Sequence, residues 1–320
     1  MTTTGFTRVL HEHVERALRA AGIDPASGTV ALASYGKDVE GREIEPKVVR
    51  FEVGQNDAMA STALALTQEP HRNVYYCLQL MRRGLKGRQR GSEKDIIAVC
   101  GLVADIDGDK GNAAAIERLP LPPTFVVISS HTPHINRQPV WLFTRAVTSF
   151  EAKVLAWGLW KLIGDQDGAT RDICHVWRMP GTLNWPNPAK RKRGRPETPQ
   201  RATLDETLGS GEPVDRQTFK VALEQALAAE LGGKGLGEAY AAETGAKPKD
   251  KAKTRKGSAA SEDERGDDVA ASEASPAWSG DHFDGNPREL ERIMNALLHL
   301  SPESGAIWRN TWVGACHTKA

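Results

Sequence analysis

The chain has 320 residues and a formal net charge of +1, a length that fits one large domain or two modest ones and can bury a substantial core. Its four cysteines (Cys77, Cys100, Cys174 and Cys316) stand far apart with no C-x-x-C pair, which argues against a structural zinc site and for reduced thiols in a cytoplasmic protein. The N-terminus MTTTGFTRVL lacks the apolar core of a signal peptide, and no stretch approaches the roughly 18–20 apolar residues of a membrane span, so a soluble intracellular protein is expected.

In chain order, the pattern predicts helices over 5–22, 56–68, 112–119, 149–164 and 215–231. Between them lie predicted strands over 29–36, 47–53, 73–80, 96–106, 124–130 and 139–145. The strand segments are rich in β-branched and aromatic residues. The helix at 149–164 starts with Ser149 as a candidate N-cap and Glu151 in its first turn. Its Leu155, Leu159, Leu162 and Ile163 fall at helical spacing, and Gly158 weakens its middle. Residues 1–231 therefore read as an α+β domain. From Gly232 to 284 the chain is rich in Ala, Gly, Lys, Ser, Asp and Glu and poor in branched apolar residues. Such a segment cannot offset its ordering entropy, so a disordered linker is expected there. Residues 285–320 predict two short helices, the first carrying Leu290, Ile293, Leu297 and Leu300 and the second Trp308, Trp312 and Cys316. Two helices make too small a core to stand alone, so this helical module reads as incomplete or dependent on a partner.

Three stretches carry candidate chemistry. The first is LVADIDGD (102–109). Alternation along a strand puts Asp105 and Asp107 on one face. Two close carboxylates repel unless they share a cation, and hard ions such as Mg²⁺ suit them. The competing view is a solvated strand exit. Asp109, in a Gly/Lys turn, reads as solvated. The second is the hairpin VVISSHTPHINRQPVWLF (126–143), with Ser129, Ser130, His131, His134, Arg137 and Gln138 at its bend as a phosphate or base surface. His131 and His134 lack a third metal ligand and read as loop histidines. The third, DQDGATRDICHVWRMPGTLNWPNPAKRKRGRP (165–196), has Asp172 ahead of Arg178, a Pro–Gly turn, Asn184, and the basic run Lys190, Arg191, Lys192, Arg193 and Arg195. That run can neutralise phosphates or form a solvated loop. MRRGLKGRQRG (81–91) is a second basic stretch with the same two readings.

In this order and spacing, the pieces resemble the archaeal–eukaryotic primase superfamily, in its plasmid- and phage-type branch of RepB-like primases and primase-polymerases. The resemblance rests on Asp105-Ile106-Asp107, on Ser129-Ser130 leading to Gln138-Pro139-Val140-Trp141, and on Asp172 ahead of Arg178-Met179-Pro180-Gly181-Thr182-Leu183-Asn184. HRNVYYCLQL (71–80) is similar to the family's N-V-Y-[FY] strand. The resemblance implies a catalytic sheet of the RNA-recognition-motif type with an N-terminal α/β part packed on it. It implies template-directed joining of NTPs or dNTPs on single-stranded DNA, starting strands de novo. Two Mg²⁺ or Mn²⁺ ions would be held by Asp105, Asp107 and Asp172, with Asp165 and Asp167 as rivals for the third place. Ser129, Ser130, His134, Gln138, Arg178 and Asn184 would contact the nucleotide. Arg82, Arg83, Lys86, Arg88, Lys190, Arg191, Lys192 and Arg193 would contact DNA.

The chain departs from the family pattern at Gln138, which replaces a common histidine, and at His175, which stands where some forms carry arginine. The C-terminal helices are similar to the small module that follows such primase domains. The sequence has no G-x-x-x-x-G-K-[ST] loop, so strand opening is expected from a separate helicase or from a longer form of this chain. Two other readings stay open: a non-catalytic replication-initiation DNA-binding protein on a primase-like fold, and a nuclease using the same acids.

Overall fold

A computed structural model describes residues 2–86 and 89–246. Arg88, the expected linker beyond residue 246 and the expected helical module at 285–320 lie outside these residues. The elements in order are α1 (Thr3–Ala20), β1 (Gly28–Lys37), β2 (Glu43–Phe51), α2 (Asn56–Thr67), β3 (Arg72–Tyr76), β4 (Gln79–Arg82), β5 (Ile96–Val103), β6 (Phe125–Ser130) and β7 (Asn136–Val147). Then follow α3 (Ser149–Ile163), β8 (Trp177–Arg178), β9 (Leu183–Asn184), α4 (Pro188–Lys192), β10 (Gln200–Arg201), β11 (Thr203–Asp205), α5 (Arg216–Ala226), α6 (Ala228–Leu231) and α7 (Leu236–Thr244). The fold is α+β. Among the described residues, a nine-stranded antiparallel sheet runs β11-β6-β7-β5-β4-β1-β3-β8, with β2 also paired to β1; β9 and β10 form a separate pair.

Both faces of the sheet are covered, which is why β7 is apolar at consecutive positions rather than alternating with polar ones. Val140 and Leu142 join the core under α1, with Phe6, Leu10, Val14 and Leu18. Trp141 and Phe143 join the opposite core, with Leu155 and Leu159 of α3 and Phe219 of α5. The Trp141 indole is fully buried and donates to the Leu121 carbonyl at 3.1 Å. No helix among the described residues is long and apolar enough to cross a membrane.

Several expected elements shift for identifiable reasons. The strand expected over 73–80 is two strands, broken at Cys77 and Leu78. Here the chain passes from β3, paired with β1 and β8, to β4, paired with β1 and β5. The helix expected at 112–119 is a 3₁₀ segment, Ala113–Arg118. The cap of α3 is Thr148 rather than Ser149: its hydroxyl accepts the Glu151 N–H, and the Glu151 carboxylate accepts the Thr148 N–H, a reciprocal capping box.

The first part of the segment expected as a linker holds a helix, α7. Its small-residue composition conceals two anchors. Leu236 is fully buried against Gly158 of α3, the glycine that weakened that helix in sequence. Tyr240 packs edge-on to Trp157 at 5.9 Å.

Candidate active site

Ala104 and Ile106 belong to the core under α3, so strand alternation turns Asp105 and Asp107 toward the other face. The β5 ladder ends at Val103, and the chain touches β7 once more at the Ile106–Arg137 bridge. This leaves the acids at the mouth of the sheet. The Asp105 N–H donates to the Thr170 hydroxyl at 2.9 Å. Its carboxylate accepts from the Gln138 amide nitrogen at 3.2 Å, and the Gln138 oxygen accepts the Arg178 backbone N–H at 3.0 Å. One amide thus ties together the acid strand, the hairpin and the R-M-P-G turn. Burial pushes the Asp105 carboxyl above the usual carboxylate range. The Gln138 hydrogen bond opposes this, and the charges of Asp165 and Asp107 reinforce it. Asp107 lies 3.2 Å from the Lys110 ammonium, which also pairs with Asp167. Burial acts to lower the Lys110 pKa, but these acidic contacts outweigh it and raise it.

Cations gather beside the acids. Arg178 is 4% exposed. Its guanidinium stacks on the Tyr75 ring at 4.3 Å and donates to the Tyr75 hydroxyl at 3.1 Å. Its Nε and Nη1 groups have no partner. The basic run is not a plain solvated loop. Asn187 accepts the Lys190 N–H at 2.8 Å and Pro188 occupies the first turn, so a short helix forms. Lys192 and Arg193 are exposed on it. Lys190 is half-buried, and its pKa is pushed down to about 7, first by burial and then by Arg178 and Arg195, against the pull of Asp105 and Asp107. Of the predicted DNA contacts, Lys190 is the one that feels the charges of Asp105 and Asp107.

Asp109 is not solvated. It pairs with Arg195 at 2.7 Å with both side chains buried, 0% and 3% exposed, and it accepts from Asn136 at 3.0 Å. Burial alone would raise its pKa; the Asn136 and Arg195 hydrogen bonds hold it below the usual value. Removing one partner of such a pair strands a charge in the interior. Arg195→Ala is expected to lower unfolding stability by about 3–5 kcal/mol, read from urea melts. A change within about 0.5 kcal/mol, the size of an ordinary surface substitution, would show that the pair contributes nothing.

The acids Asp105, Asp107 and Asp172 do not assemble as a trio. Among the described residues, no three His, Cys, Asp or Glu side chains stand together closely enough to hold a metal ion. Asp172 caps its own turn, accepting the Cys174 N–H at 2.9 Å and facing His175 at 3.6 Å, and His175 holds its pKa down. Asp165 influences Asp105, but its oxygens accept the backbone N–H groups of Asp167 and Thr170.

The other predicted contacts scatter. Asn184 donates to the Ser129 carbonyl; Ser130 Oγ and Asn184 Oδ1 are buried without partners. His134 is exposed at the hairpin bend. Arg82 pairs with Asp95 at 2.7 Å and Arg83 with Glu52. Lys86 is exposed. Arg191 donates to the Val39 carbonyl at 3.3 Å. Sequence reasoning missed Tyr75, Thr170 and Lys110. Tyr75 had a legible signal, since its neighbours Val74 and Tyr76 are core residues, which turns it to the opposite face.

No protein-family model matches the chain, and no curated protein matches it. Among solved structures, it is similar to primase RepB′ (TM-score 0.37, 14% identity, over 73% of this chain and 68% of that one). It is similar to the catalytic domain of primase RepB′ in complex with initiator DNA (TM-score 0.36, 14% identity, 70% and 99%). It is also similar to the AEP domain of the cyanophage S-2L primase-polymerase, at a TM-score of 0.43 and 16% identity over 66% of this chain and 97% of that one.

Proposed function

We propose that the chain is a metal-dependent primase-polymerase that joins nucleotides on a single-stranded DNA template at the site of Asp105 and Arg178. The observation that carries this reading is the Arg178 guanidinium, buried beside the acid pair with two unpartnered nitrogens, Nε and Nη1. Burying a charge without full hydrogen bonding is costly. A polyphosphate supplies the missing acceptors in the forked geometry that guanidinium prefers. Lys190 adds positive charge, and the triphosphate of an NTP or dNTP fits this cradle.

The acid pair fits a divalent ion. Burial and like charge both disfavour the ionised Asp105 carboxyl, and a bound cation relieves both. Asp105 and Asp107 would hold Mg²⁺ or Mn²⁺, which when bound lowers the pKa of the attacking hydroxyl and offsets charge on the phosphoryl group. Gln138 keeps the Asp105 carboxylate in register with Arg178, and Thr170 fixes the Asp105 backbone. The exposed Lys86, Lys192 and Arg193 would meet strand phosphates. In this reading β4 to β7 and β11 form the catalytic half-sheet of the RNA-recognition-motif type.

The test is primer synthesis by the full chain on unprimed single-stranded DNA with labelled nucleotides and Mg²⁺ or Mn²⁺. Short labelled products are expected. DNA binding without product would favour a non-catalytic initiator, and shortened DNA a nuclease.

A further inference from the structure

Arg178 sits on β8, a strand too short to fix a guanidinium as closely as recognition of a polyphosphate requires. The turn that follows it, residues 179–183, is held from elsewhere. Buried backbone groups in such a turn need partners. The Met179 N–H donates to the Val74 carbonyl at 3.0 Å, and the Gly181 N–H to the Ala202 carbonyl at 2.8 Å. Two further anchors are side chains of the N-terminal helices. Pro180 has no N–H to give, and its carbonyl accepts from the Thr3 hydroxyl of α1 at 3.0 Å. The Leu183 N–H donates to the Thr67 hydroxyl of α2 at 2.7 Å. Both threonines are buried.

The Thr3 hydroxyl is left for this contact because Thr2 caps α1, accepting the Gly5 N–H at 3.1 Å. Gly181 stands at φ 84°, and a Cβ there would run into the Thr3 hydroxyl, so the start of the helix and the turn touch directly. The two helices are tied to each other as well. The His11 ring of α1 accepts the Gly54 N–H just before α2 at 2.9 Å and lies 3.1 Å from the Met59 sulfur of α2. Phe6 of α1 packs edge-on to Tyr76 at 4.9 Å, and Tyr76 is the neighbour of the Tyr75 on which Arg178 stacks. We infer that Thr3 and Thr67 are positioning residues for Arg178: through two hydroxyls, the N-terminal helix pair sets the turn that aims the guanidinium at a polyphosphate. The inference rests on the reading of Arg178 as a phosphate contact. It gives α1 and α2 a part in nucleotide binding besides covering the sheet.

The experiment titrates inorganic tripolyphosphate into the full chain, with binding read by isothermal titration calorimetry. Wild type is expected to bind it. Thr3→Val and Thr67→Val keep the side-chain shape and lose the hydroxyl, and each should bind about tenfold more weakly. Thr3→Ser and Thr67→Ser keep the hydroxyl and should stay within about twofold of wild type. In an Arg178→Met background the valine substitutions should weaken binding no further, because they act through the guanidinium. An equal loss in both backgrounds, or serine variants as weak as the valine ones, would make the threonines supports of the fold alone. Valine variants that bind as wild type does, or that do not fold, would overturn the inference too and leave the Arg178 reading standing. No binding by wild type would overturn that reading and this inference together.

Discussion

Asp105→Asn is expected to reduce nucleotide joining by about a thousandfold or more while leaving the fold intact. The amide has the shape of the acid, and its oxygen can still accept from Gln138, which lies 3.2 Å from the carboxylate. What disappears is charge, at a position where burial, Asp165 and Asp107 already disfavour it. The variant should therefore melt at or slightly above the wild-type temperature, so lost activity cannot be assigned to unfolding. Primer synthesis and a thermal melt on the same preparation check both statements. Synthesis near the wild-type rate would remove Asp105 from the chemistry. Asp172→Asn is the control: Asp172 caps the turn leading to His175, and its variant should keep most of its activity.

Arg178→Met is expected to separate stability from function. The guanidinium is buried and two of its nitrogens have no partner. A thioether of similar length meets no such penalty and can still pack on the Tyr75 ring. The stacking and hydrogen bond to Tyr75 are lost, so the net gain in stability is expected at about 1–2 kcal/mol. Without its fork of donors, the site should bind triphosphate about a hundredfold more weakly, read as a rise in nucleotide KM. A lowered melting temperature would instead make Arg178 a support of the β3–β8 edge.

The strands and the shared face of the acids were legible because alternation is a local signal. Ala104 and Ile106 had to enter the core, and that decided where Asp105 and Asp107 point. The third acid was not legible. Asp172 and Asp165 read alike as acids in a polar loop, and only the folded chain shows that each binds backbone N–H groups of its own loop. Asp109 was misread for a similar reason: its partner Arg195 is 86 positions away. The basic run split into a half-buried Lys190 and exposed Lys192 and Arg193 because Asn187 and Pro188 start a helix there, a capping signal masked by the charge density. The helix at 236–244 was hidden by composition, since two large residues carry its packing.

The site also depends on the order in which the chain can close upon itself. Arg178 meets Tyr75 across 103 positions, and β8, the strand that delivers it, is two residues long. A loop of that length must be closed before so short a ladder returns any free energy. The helix-covered centre of the sheet can form without it. The Arg178 end of the site should therefore be among the last parts to order during folding, and the Tyr75–Arg178 edge among the first to exchange its amide hydrogens from the native state.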